Sequence, residues 1–323
     1  GILLLICDPL AGGSVKTHVG GHGREEARHD LLQRQPLLAE TILNVRVAAQ
    51  SVILEICGHT RRREPTQHGI SAADKNLEAR LGRCKNVLTL GVRPNFCDYS
   101  RAEADLIRKA AKIYYPTTFY AELFDVMGKE TFPSYHTYKC VQDKIKQTAL
   151  FNLLEIPHPR TRVFYGKRQK NTICDNFEFP FIAKIPRGSA MGRGVFLIRN
   201  LDELHSYCSL TSVAYIQQYL PIDRDVRVVV IGSQVVHAYW RIAPAGEFRS
   251  NVAAGASISL DSVPQPILDL ALYTARRCRW DDVGIDIVEH DGRLFILEAN
   301  MKYGKEGFRV AGIDYIKLME AMI

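Results

Sequence analysis

The sequence predicts an α+β protein built mainly on antiparallel strands, with a small parallel α/β unit ahead of it. Two observations carry this expectation. From residue 86, apolar runs alternate with amphipathic stretches in the order strand, helix, strand, helix, strand. From residue 178, strand follows strand, with tight-turn signals between several of them. The 323-residue length allows two or three compact domains.

Residues 1–85 stand apart. The chain has 29 Phe, Trp and Tyr residues, and none precedes Phe96. The same region holds five of the ten histidines and the run Arg61-Arg62-Arg63. Its apolar clusters, such as AETILNVRVAAQSVILEIC, fit a strand or a helix equally. Aromatic side chains supply much of a core's buried area. Residues 1–85 are therefore expected to be a poorly defined N-terminal extension, disordered or not native, rather than an aliphatic-cored domain.

Residues 86–135 read as the small α/β unit. NVLTLGV, KIYYP and ETFPS are its strands. The helix SRAEADLIRKAAK starts at Ser100, with Glu103 completing a capping box, and TTFYAELFDVMG closes on Gly128. Residues 136–214 form the next expected unit, with a helix YKCVQDKIKQTALFNLLE, strands FPFIAKIP and VFLIRN, and a helix LDELHSYCSL. Residues 215–323 form the last, although VAYIQQYL, expected as one strand, crosses that boundary. Its strands are DVRVVVIG, QVVHAYWRIA and the hairpin VGIDIVEH–DG–RLFILEAN, with the helix PQPILDLALYTARRCRW between them.

Composition narrows the function classes. No apolar run approaches the roughly 18–20 residues of a membrane span, and GILLLIC is too short for a signal peptide's core and flanks. The eight cysteines show no CxxC spacing, so reduced thiols in a cytoplasmic protein are expected. A net charge of +7 suits an anionic partner. No arginine-rich tail or nucleic-acid motif accompanies it, so nucleic acid is not an expected partner.

Three constellations carry chemistry. Lys184 lies on a strand just before the glycine-rich loop containing Gly188, Ser189, Gly192 and Gly194. Backbone N–H groups there can cradle phosphate oxygens while a lysine neutralises them; a surface hairpin is the alternative. Arg241, Arg249 and Asn251 can grip anionic oxygens, or belong to an ordinary polar hairpin. Asp286, Glu298 and Asn300 offer oxygen ligands suited to Mg²⁺ bound with phosphates. That set depends on register. A regular hairpin about Asp291-Gly292 places Leu297, not Glu298, opposite Asp286, so a bulge or odd-length loop is required. Without it, the carboxylates are two unrelated ion-paired groups.

In order, QDKIKQTALFNLLEIPHPRT, FIAKIPRGSAMGRGV, YIQQYLPIDRDVRVVVIG, WRIAPAGEFRSN, VGIDIV and ILEANMKYGKEG resemble the ATP-grasp fold, and more closely its RimK-type subfamily, which includes ribosomal-protein glutamate ligases. The resemblance covers about residues 86–323. It implies two α+β subdomains gripping ATP, preceded by the small α/β unit. It also implies Mg²⁺, with Mn²⁺ as a substitute, and a cytoplasmic, ADP-forming ligase joining a carboxylate, on an amino acid or peptide, to an amine. By position, Lys144 and Lys184 would hold phosphates under the 188–194 loop. Gln218 and Tyr219 fall at the linker beside adenine, Asp225 near the ribose, and Arg249, Ser250 and Asn251 beside the nucleotide. Arg241 would stabilise the transferring phosphoryl group, and Asp286, Glu298 and Asn300 would be metal ligands. After Asn300 the subfamily has a small residue and then Ser-Pro-Gly; here Met301, Lys302, Tyr303 and Gly304 follow. A nucleotide-binding protein without ligase turnover is the alternative function, and oligomerisation is left open.

Overall fold

The computed structural model describes residues 53–57, 81, 87–93, 95–187, 194–244 and 255–322. All belong to the second of two units into which the chain divides, Ser51–Ile323.

The first sheet is parallel, with strands β1 (Ile53–Cys57), β2 (Val87–Gly91), β3 (Lys112–Tyr114) and β4 (Glu130–Phe132) in the order β2-β1-β3-β4. Parallel neighbours need crossovers. Helix α1 (Arg101–Lys109) connects β2 to β3, and α2 (Thr118–Val126) connects β3 to β4. Both halves of the Ser100–Glu103 capping box form, and Gly128 ends α2 at φ +69°. The sheet has four strands where three were expected. The fourth, β1, comes from within residues 1–85. An aliphatic pentapeptide without an aromatic neighbour gives no pattern that separates strand from helix. Apart from Leu81, the rest of residues 1–85 lies outside the described residues.

The single helix expected over 138–155 is two, α3 (Tyr135–Val141) and α4 (Lys144–Leu153). Asp143 breaks it: its Oδ1 accepts from the N–H groups of Ile145 at 3.0 Å and Lys146 at 3.3 Å, starting a new helix.

The second sheet is antiparallel, in the order β5-β8-β6-β7. Its strands are β5 (Thr161–Tyr165), β6 (Phe181–Lys184), β7 (Val195–Ile198) and β8 (Val213–Gln218). Helices α5 (Gly166–Lys170), α6 (Ile173–Asn176) and α7 (Leu201–Leu210) accompany it. Phe164, Phe177, Phe181, Leu204 and Tyr207 fill its core. Strand β8 runs through the boundary expected at 214/215, so this subdomain extends to Gln218. Strand β5 was not expected; Arg162 interrupts its apolar pattern, and the guanidinium of Arg162 lies over Phe164, as that of Arg160, just ahead of the strand, lies over Phe177.

The third sheet is also antiparallel, ordered β11-β10-β9-β12-β13. It comprises β9 (Arg224–Ile231), β10 (Gln234–Ile242), β11 (Ser257–Ser259), β12 (Asp282–His290) and β13 (Arg293–Asn300). Helix α8 (Gln265–Cys278) covers one face, burying Ile267, Ala271 and Ala275 against Val226, Val228, Ile285 and Ile287. The opposite face is divided. Val229 and Ile231 pack with Tyr303, Phe308 and Tyr315, around α9 (Glu306–Val310) and α10 (Tyr315–Met322). The remainder carries charge. Among the described residues, no helix is long and apolar enough to cross a membrane.

Candidate functional site

The charged part of that face follows from strand alternation. Asp225 and Arg227 share one side of β9, because side chains repeat every two residues. Across the sheet, Asp225 pairs with Arg241, and Arg227 pairs with both Tyr239 and Asp286. The hairpin supplies the rest. Asp291 and Gly292 turn at φ +50° and +69°, the left-handed pair of a two-residue connection. Ile287 lies opposite Ile296, as a regular hairpin requires. The register then shifts, and Asp286 lies opposite Glu298 rather than Leu297. A β-bulge has absorbed Leu297. The required condition is met: Asp286 and Glu298 face the same side, and Asn300 pairs with Gly284 one step further along.

A buried network joins these groups. Arg227 donates from Nε to Asp286 Oδ1 and from Nη2 to Oδ2, both at 2.7 Å. Arg241 donates to both oxygens of Asp225 at 2.6 Å, and its Nη2 stands 2.9 Å from Asp286 Oδ2. Burial disfavours the charged form of each arginine, but the adjoining carboxylates outweigh it and hold both protonated. Asp225 is only 2% exposed, and both its oxygens accept from Arg241. In this arrangement it orients Arg241.

Opposite this face stand two lysines. Lys144 opens α4, and its Nζ lies 3.6 Å from Glu298 Oε2. Lys184 ends β6, 7% exposed, with its ammonium above the Tyr215 ring. Burial pushes the Lys184 pKa down, against the attraction of Glu298. Burial alone would raise Glu298; the Lys144 and Lys184 ammoniums, helped by the Asn300 amide at 2.9 Å, carry it instead down to about 2. Glu298 is ionised at neutral pH. Lys144, Lys184 and Glu298 line a narrow cleft with Thr148, Tyr215 and Gln217.

Three residues support the site in ways sequence reasoning did not assign. Arg227 was signalled by an Asp-x-Arg alternation inside an apolar strand. Gln147 is buried and clamps β13: its Nε2 donates to the carbonyls of Ala299 at 2.9 Å and Val141 at 2.6 Å, while its Oε1 accepts from Ala299 N–H at 2.9 Å. Ala299 separates Glu298 from Asn300, so this clamp fixes both. Tyr303 accepts from Arg227 Nη1 through its carbonyl at 2.9 Å. No local sequence pattern marks Gln147, and Tyr303 stood out only as a departure from the subfamily.

The other expected residues are placed as follows. Gly194, the last residue of the glycine-rich loop, stands at φ +81°, and its carbonyl accepts from Ile185 N–H at 2.7 Å. Gln218 closes β8 and donates its N–H to Arg160 at 2.8 Å. Tyr219 lies with Asp223, Arg224 and Trp240 along a groove of about 680 Å³. Gly188, Ser189, Gly192, Arg249, Ser250 and Asn251 lie outside the described residues.

The site's chemistry suits a metal held together with an anion. Among the described residues, no three His, Cys, Asp or Glu side chains form a metal cage; the candidate set is two carboxylates and an amide. An ionised carboxylate offers about four acceptor positions, and three of those on Asp286 are taken by guanidinium donors. The four cations Lys144, Lys184, Arg227 and Arg241 outnumber the three carboxylates Asp225, Asp286 and Glu298. A bare dication would meet net positive charge, whereas one accompanied by polyphosphate would not. The oxygen donors fit Mg²⁺ on that condition.

Comparison with known proteins bears on the same region. A family model for the RimK-like ATP-grasp domain matches residues 141–323. Ribosomal protein bS6–L-glutamate ligase of Escherichia fergusonii is 26% identical over 199 residues, covering 59% of this chain and 66% of its own length. Coenzyme gamma-F420-2:alpha-L-glutamate ligase of Methanocaldococcus jannaschii is 27% identical over 267 residues, covering 77% of this chain and 92% of its own. Among solved structures, a RimK domain ATP-grasp protein from Sphaerobacter thermophilus superposes with TM-score 0.60 at 15% identity, covering 84% of this chain and 99% of that one. D-alanine–D-alanine ligase from Bacillus anthracis, complexed with ATP, gives 0.58 at 15% identity, with 84% and 96% coverage. The fold is the ATP-grasp fold, and the chain belongs to the RimK-like ATP-grasp family.

Proposed function

We propose that this protein is an ATP- and Mg²⁺-dependent, ADP-forming ligase that joins a carboxylate to an amine through an acyl phosphate. The observation carrying this reading is the bulged pairing of Asp286 with Glu298 opposite Lys144 and Lys184. It puts Asp286 and Glu298 on one face of the sheet, with the two lysine ammoniums beside Glu298, a combination of oxygen ligands and phosphate-neutralising cations that phosphoryl transfer demands. Asp286, Glu298 and Asn300 would hold the metal, whose contribution when bound is charge neutralisation between phosphate oxygens. Lys144 and Lys184 bind phosphate oxygens, and Arg241 balances charge on the transferring group. A substrate carboxylate oxygen attacks the γ-phosphorus and ADP leaves. The amine nitrogen then attacks the acyl carbon, phosphate leaves with the C–O bond electrons, and the amine gives up a proton. The carboxylate comes from an amino acid or peptide, and the enzyme works in the cytoplasm.

A second reading, nucleotide binding without turnover, is favoured by the segment after Asn300, where Met301 and Tyr303, both buried, stand in place of the subfamily's small residue and Ser-Pro-Gly. ADP release across a panel of amino acids and amines separates the two. The ligase reading expects substrate-dependent ADP that Glu298→Gln abolishes while nucleotide binding partly survives. Tight ATP binding with no ADP from a broad panel would refute it.

A further inference from the structure

Tyr303 follows the metal-ligand strand at the point where this chain departs from its subfamily. It is 3% exposed and anchored on three sides. Its hydroxyl donates to Asp282 Oδ1 at 2.7 Å and shares a hydrogen bond with the Tyr315 hydroxyl at 2.9 Å. Its ring base rests on Gly284, where an added methyl would come within 2.4 Å of Tyr303 Cβ. Its carbonyl accepts from Arg227 Nη1 at 2.9 Å. Arg227 spends its other donors, Nε and Nη2, on Asp286. A guanidinium is planar and rigid, so fixing one edge fixes the other.

We infer that Tyr303 is a positioning residue for the metal site: its anchored backbone carbonyl sets Arg227, and Arg227 sets Asp286. The inference rests on the reading that Asp286, Glu298 and Asn300 hold Mg²⁺ with nucleotide. It adds a link absent from the ligand set itself. The Tyr303 and Tyr315 hydroxyls tie the site to α10, with the Lys305 ammonium 4.8 Å from the Tyr315 ring. A small residue at 303 would offer the same carbonyl without the anchored ring that holds it in place. Groups that orient metal ligands commonly matter ten- to a hundredfold in metal affinity.

The test uses the full chain and calorimetric titration with a non-hydrolysable ATP analogue across a Mg²⁺ series. Tyr303→Ala is expected to raise the Mg²⁺ concentration for half-maximal enhancement about tenfold, with metal-free analogue affinity unchanged. Tyr303→Phe, which keeps the ring and loses the hydroxyl, is expected to shift it about threefold and carries the test if the alanine variant does not fold. Phe308→Leu is the packing control: Phe308 lies against the Tyr303 and Tyr315 rings and makes no part of the hydrogen-bonded chain from Tyr303 through Arg227 to Asp286, and the variant should lower the melting temperature without moving the Mg²⁺ midpoint. Midpoints of the folded Tyr303 variants within about twofold of wild type, or an equal shift in Phe308→Leu, would overturn the inference. Absence of any Mg²⁺ enhancement in wild type would instead overturn the metal reading beneath it.

Discussion

Glu298→Gln makes the sharpest test of the site's electrostatics, because it removes one charge and almost no volume. Folding carries Glu298 from an ordinary 4.5 to about 2. At about 1.4 kcal/mol per pKa unit, the ionised side chain contributes about 3 kcal/mol at neutral pH. The side chain is 23% exposed, so solvent screening removes only part of this. The sign follows from proton uptake: the folded state binds the proton less readily, so the contribution is complete above about 4.5 and disappears as pH falls towards 2. Linkage then gives a loss of about 1 kcal/mol by pH 4 and about 2 kcal/mol by pH 3. Urea unfolding of wild type and Glu298→Gln at pH 7, 5, 4 and 3 measures the gap between them. It should be about 3 kcal/mol at pH 7 and close steadily below pH 5. A gap that stays constant from pH 7 to pH 3 would show that Lys144 and Lys184 do not hold Glu298 ionised, and would refute the reasoning.

Three further outcomes follow from the same geometry. Arg227→Ala strands the buried Asp286 with Arg241 alone and should cost about 3–5 kcal/mol in denaturant unfolding, whereas Arg227→Met with Asp286→Asn should cost clearly less than the two single changes together. Gln147→Ala removes three buried hydrogen bonds, two to Ala299 and one to Val141, and should destabilise by about 2–4 kcal/mol, while weakening Mg²⁺-dependent nucleotide binding in calorimetry. Mg²⁺ titrated without nucleotide should give no measurable heat at millimolar concentration, and a strong signal once an ATP analogue is present, because the protein's own cations already exceed its carboxylates.

Much of the fold could be read from the order of apolar runs. The helix over 201–210 matches α7 residue for residue, and Ser100, Gly128 and Asp291-Gly292 act as expected because capping and turn chemistry are local. The fold was less legible where neighbours far along the chain decide. Strand β1 gains its identity from β2 and β3 on either side of it. Strand β11 is three residues long and exists because β10 offers an edge.

For the site, the sequence alone determined the residue types and their alternation: Asp286, Glu298 and Asn300 as oxygen donors, and Lys144 and Lys184 as cations. It also stated the condition on which they meet. Only the tertiary structure decided that the condition holds. A bulge at Leu297 is a choice between two backbone registers, and local sequence favours neither. It is settled here where α4 packs against β13 and Gln147 grips Ala299. The same holds for Met301 and Tyr303. In the sequence they mark only a departure from the subfamily; in the fold they are buried against Gln142, Gly284 and Arg227, because what a side chain does depends on which distant groups the fold sets around it.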